Sequence, residues 1–130
     1  MNLKHVVRVL AAVLLVSGLV SLFMPVAVAD FVGLLVEPNT SNGVVEIGAI
    51  YGGIPIALGA IALYATFSFS ASAGPMLAAV GFVFVGAALG RLIVVFTGSS
   101  PTLGGWLFFA FEVVTAAAFL AGSTALDSDV

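Results

Sequence analysis

The chain has 130 residues, of which 62% are hydrophobic and only 7% charged. An ordinary soluble domain is about a quarter charged, so there are too few polar side chains to cover a water-facing surface, and a soluble monomer and a disordered chain are both excluded. With no cysteine and one histidine, disulfides, thiol chemistry and histidine-rich metal sites are excluded, and three basic residues against six acidic ones argue against nucleic acid as a partner.

What remains is an integral membrane protein, and the charges punctuate it. Lys4, His5 and Arg8 precede an uncharged stretch from Val9 to Ala29. The first helix is predicted over residues 3–24, stopped by Pro25. The same segment has the shape of a secretory signal, with Ala27-Val28-Ala29 as the cleavage site. Its apolar stretch is longer than a usual signal core, which favours a retained helix. Residues Val26 to Val36 are apolar but too short to cross, and are expected at the outer interface as a short helix or re-entrant piece. Glu37 to Gly43 reads as a turn holding several candidate caps for the next helix.

No charge occurs between Glu46 and Arg91. As helix that run would be about 66 Å long at about 1.5 Å per residue, twice a bilayer core, so it holds two spans and a break. The break is Ser68 to Pro75, rich in turn formers, with Pro75 suited to the first turn of a new helix. The second helix is predicted over 44–67 and the third over 75–96, ending at Thr97-Gly98-Ser99-Ser100-Pro101. The fourth is predicted over 103–126. The apolar stretches are continuous rather than alternating, which indicates helices and not a barrel. The fold class is therefore all-α, a four-helix membrane bundle forming one domain over residues 1–130, with a short interfacial segment between helices one and two. An even number of spans puts both ends on one side, and Lys4 and Arg8 place that side in the cytoplasm, across the inner membrane. Trp106 and Tyr64 fit interfacial belts.

Helices associate in lipid by close backbone approach. Small residues recur four apart in every span: Ser17 and Ser21, Gly48 and Gly52 with Ala49 and Gly53 beside them, Gly86 and Gly90, Ala118 and Gly122. These faces are expected to pack the bundle, and could equally serve self-association or other membrane subunits. Pro55 cannot donate to the carbonyl of Tyr51, so a kink is expected in the second helix. A carbonyl ligand, as in broken transporter helices, is the alternative reading.

Three ionisable residues fall inside the spans: Glu46, Arg91 and Glu112. A charge near the bilayer centre costs at least about 2.5 to 3.5 kcal/mol, so such groups should pair or face a wet cavity. All three lie in the outer half. Ala87 and Ala88 leave room over the Arg91 stem, Glu46 shares a stripe with Ala49 and Gly53, and Thr115 stands one turn from Glu112. The expectation is a Glu46–Arg91–Glu112 cluster in the interior with Tyr51 as a hydrogen-bonding neighbour. Two carboxylates around one guanidinium carry an excess negative charge, which makes the deeper Glu112 the candidate to hold a proton. Below Glu112, helix four offers only Thr115 and then alanines, so no proton path continues. His5 reads as a snorkelling surface residue, and the phenylalanines as packing and lipid contacts.

The string Glu46-Ile47-Gly48-Ala49-Ile50-Tyr51-Gly52-Gly53, then Gly90-Arg91, then Glu112, resembles the small bacterial membrane proteins grouped as domain of unknown function 4345. The resemblance covers nearly the whole chain and implies four helices with a polar constellation. It implies no activity. Members of that family usually carry arginine where this chain has Gly48, which leaves Arg91 the only guanidinium available to Glu46.

Three functions fit these residues. The first choice is a structural or accessory subunit of a membrane assembly, with the charged cluster fixing helix register. The alternative is a binder or carrier of a small lipid or amphiphile in an outer-leaflet pocket around Arg91. An intramembrane enzyme ranks last, because no nucleophile–base pair or metal site is present in the sequence. No cofactor beyond bound lipid is expected.

Overall fold

The computed structural model describes residues 2–36, 41–68 and 70–127. Asn2 caps the first helix, α1 (Leu3–Phe23), its side chain accepting from the Lys4 amide at 3.1 Å. Pro25 cannot prolong α1 and instead opens a short helix, α2 (Pro25–Val32). Gly33 ends α2 in the left-handed region at φ 79°, which turns the chain so that the Leu34 amide reaches the Ala29 carbonyl at 2.8 Å. The segment expected at the interface is thus a helix of two turns.

A third helix, α3, runs over residues 41–67. It is α-helical over Ser41–Ile47, π-helical over Gly48–Gly53 and α-helical again over Ile54–Phe67. It begins at Ser41 rather than Val44, so part of the expected turn is helical; residues 37–40 of that turn lie outside the described residues. The expected kink at Pro55 takes the form of the π stretch just before it, where the Ile54 amide bonds to the Ala49 carbonyl five residues back. The bundle is completed by α4 (Ala73–Phe96) and α5 (Leu103–Asp127). Four of these helices, all but α2, are long and apolar enough to cross a membrane. Their outer faces carry exposed Val9, Val16, Phe82, Ile93 and Val114, as lipid-facing surfaces do.

Burial recurs at steps of three and four. On α1 the line is Val7, Ala11, Leu14, Gly18, Ser21. On α4 it is Ala73, Leu77, Val80, Phe84, Ala88. On α5 it runs through Glu112, Thr115, Ala116, Phe119 and Leu126. This is the spacing of helix faces packed along a bundle seam. Helix α4 packs most extensively on α5, and α1 on α3. Gly59 lies so close to α1 that a Cβ there would stand 2.7 Å from the Ala11 carbonyl oxygen, and one at Gly18 would stand 2.7 Å from that of Gly52. Gly86 and Gly90, by contrast, are exposed with nothing near them, so the small face expected on α4 is not used within this chain. There α4 turns Phe84 and Ala88 inward instead.

The end that carries the termini is closed. Val7, Leu77 and Phe119 are fully buried there. Arg8 reaches the end of α3, where its Nε donates to Thr66 Oγ1 at 3.2 Å and its Nη2 to the Thr66 carbonyl at 3.0 Å, with the guanidinium 4.2 Å from the centre of the Phe67 ring. At the opposite, distal end, α2 docks on the start of α5. Gly104 lies against the Phe31 carbonyl with no room for a side chain. Thr102 accepts from the Gly105 amide at 3.2 Å and donates to the Val32 carbonyl at 3.4 Å.

Candidate polar site

Arg91 and Glu112 continue the inward lines of α4 and α5, and the extensive packing of these two helices brings them face to face. Arg91 Nε donates to both carboxylate oxygens of Glu112, at 2.9 and 3.0 Å. Neither terminal nitrogen of the guanidinium takes part in those bonds. The pair is asymmetrically buried: the Glu112 side chain is 8% exposed and that of Arg91 34%. Its negative end therefore points into the bundle and its positive end outward.

Aromatic rings frame the cation. The Phe108 ring centre is 5.9 Å from the guanidinium. Phe108 in turn meets Tyr51 edge-on at 6.1 Å and Phe31 of α2 at 6.2 Å. Tyr51, carried on the π stretch of α3, adds an electrostatic contact to Arg91. Thus α2, α3, α4 and α5 all contribute to the surroundings of one charge.

Glu46 stands apart. It is exposed, and it lines neither of the cavities beside Arg91. The buried line of α3 runs from Ile47 to Gly52, a five-residue step that the π stretch allows. The face expected to turn inward, Glu46 with Ala49 and Gly53, is the exposed one. The three-residue cluster is therefore a pair, and the charge excess that singled out Glu112 for protonation disappears with the second carboxylate. Thr115 is wholly buried, but its hydroxyl has no hydrogen-bond partner, so it does not join Glu112 as expected.

Arg91 borders two cavities. The inner one, about 240 Å³, lies between α1, α3, α4 and α5, with Ser21, Tyr51, Leu58, Ala87, Phe111 and Glu112 among its walls. The distal one, about 380 Å³, lies beneath the α4–α5 connection, with Ser99, Ser100, Thr102 and Trp106 on its walls. The sequence suggests an outer pocket around Arg91 but not the walls of this second cavity. Its polar residues sit in what reads as an ordinary turn, and only the fold brings that turn over Arg91.

The family model for Domain of unknown function (DUF4345) matches residues 3–122. The chain belongs to this family. For a DUF4345 protein the match spans every element that builds the site, from α1 through most of α5, so the Arg91–Glu112 pair and both cavities lie within the family domain. Neither a curated protein nor a solved structure shows significant similarity to the chain.

Proposed function

We propose that this DUF4345 protein binds a small amphiphile within the membrane, with the ligand's apolar part in the inner cavity and its polar part at Arg91. The observation that supports this most is an ion pair on the wall of a mostly apolar cavity enclosed by all four spans. Polar groups at such depth are held where they pair or serve a ligand. Ligand pockets are commonly about 300–1,000 Å³, mostly apolar with a few placed polar groups; the distal cavity, at about 380 Å³, is at the small end of that range and the inner one, at about 240 Å³, just below it. Native mass spectrometry of protein released from its membrane into mild detergent tests the reading. Wild type is expected to carry a bound amphiphile. Ala87→Phe, which fills the inner cavity from an exposed position, is expected to lose it with thermal stability unchanged. An empty wild-type protein, or an unchanged complement in the variant, contradicts the reading.

A second reading, an accessory subunit of a larger assembly, is favoured by Gly86 and Gly90, an exposed small-residue face on α4 that this chain leaves unpacked. Stoichiometric co-purification of other membrane chains, or a second copy, lost on Gly86→Leu, separates it from the first. Residence in the inner membrane with both termini cytoplasmic belongs to the same proposal, supported by Lys4 and Arg8 at the end that holds the N-terminus. No catalytic step and no cofactor other than lipid is proposed.

A further inference from the structure

The amphiphile reading leaves the ligand's head group open, and the distal cavity bears on it. Three observations converge there. First, Arg91 lines this cavity and Glu112 does not. Second, among the described residues no acidic side chain is on its walls, while Ser99, Ser100 and the Trp106 indole supply further donors. Third, Thr102 is already committed, accepting from the Gly105 amide and donating to the Val32 carbonyl. It holds the wall in place while the other donors stay open to a ligand.

A guanidinium held at Nε by Glu112, with Tyr51 beside it, still has terminal N–H donors of the kind that fit phosphate and carboxylate oxygens. The anchoring carboxylate is buried and is not on the wall of this cavity, so its repulsion of a second anion is weaker here than in the inner cavity. The inner cavity is different. Glu112 itself is on its wall, and a second anion placed there would meet that charge directly. The two cavities therefore sort the two halves of an acidic lipid, with the acyl part inward and the head distal.

Resting on the amphiphile reading, we infer that the distal cavity takes an acceptor-rich anionic head group, a phosphate or carboxylate, so that the ligand is an acidic amphiphile drawn from the bilayer. The test is a titration of the purified full-length protein in neutral detergent, followed by native mass spectrometry. The probes are phosphatidylglycerol, a fatty acid, a neutral diacylglycerol and inorganic phosphate. The two acidic amphiphiles are expected to bind about tenfold more tightly than the diacylglycerol, the gain of one charge-assisted contact. Ser99→Glu, an exposed change that puts a carboxylate at the cavity mouth, is expected to abolish that preference without altering the melting temperature. The paired change Arg91→Gln with Glu112→Gln keeps the shape and removes both charges; it is expected to abolish the preference too. Equal binding of acidic and neutral amphiphiles by wild type overturns the head-group assignment and leaves the amphiphile reading standing. Absence of any amphiphile overturns both. Inorganic phosphate binding as tightly as phosphatidylglycerol overturns the bilayer as source, since the anion would then come from water.

Discussion

The two ends of the bundle each hold an arginine, and they satisfy it in opposite ways. Arg8 sits where α3 stops, and a stopping helix has carbonyls with no amide partner. It takes one of them, the Thr66 hydroxyl and the face of Phe67, all neutral. Arg91 lies more than a turn inside α4, away from the unbonded terminal carbonyls of that helix, and a side chain receives it there, Glu112 on α5. Packing differs in the same sense. The fully buried Val7, Leu77 and Phe119 close the end with the termini, whereas the distal half holds both cavities beside Arg91. An arginine at a helix end is a fastening. One inside a helix requires an acid, and the pair keeps the helices around it from closing as tightly as small residues do.

Substitutions at the two ends should separate these roles, read as unfolding free energies in mixed micelles. The largest effect is expected from Arg91→Met, which strands a buried carboxylate: about 3 kcal/mol, the low end of the range for breaking buried pairs because Arg91 is a third exposed. Gly59→Val drives a side chain into the α1 backbone at the closed end and should cost about 2 kcal/mol, as overpacking does. Equal tolerance of valine at Gly59 and at the exposed Gly86 would dissolve the distinction between packed and open faces. Arg8→Met removes hydrogen bonds to neutral acceptors, for about 1 kcal/mol. Smallest is Glu46→Gln, an exposed change expected to stay within about 0.5 kcal/mol; a loss comparable to that of Arg91→Met would place Glu46 in the pair after all.

Much of this fold is legible in the sequence because charges and prolines bound its apolar runs. Arg8, Asp30, Pro25 and the Ser68–Pro75 break delimit spans whose ends agree with the helices to within a few residues. Arg91 and Glu112 are legible as partners because a charge inside a span has few places to go. The phase of α3 is not legible. Gly48, Gly52 and Gly53 are equally small, and which of them meets α1 depends on a backbone contact at Gly18 and on a π stretch that shifts every residue before it. One inserted residue turns a helix face by about 100°. That is why Glu46 faces outward while Tyr51, a single helical turn onward, reaches the inner cavity. The walls of the distal cavity are equally illegible, since Ser99 and Ser100 come to line it only when their turn folds over a residue of the preceding helix.

A double-mutant cycle on Arg91→Met and Glu112→Leu measures the link between α4 and α5 most directly. The expected result is a coupling energy above about 1.5 kcal/mol, with the doubly substituted protein at least as stable as Arg91→Met alone. Additive losses, agreeing within about 0.5 kcal/mol, would mean that the two side chains do not hold each other in the membrane, and the polar site would lose its foundation.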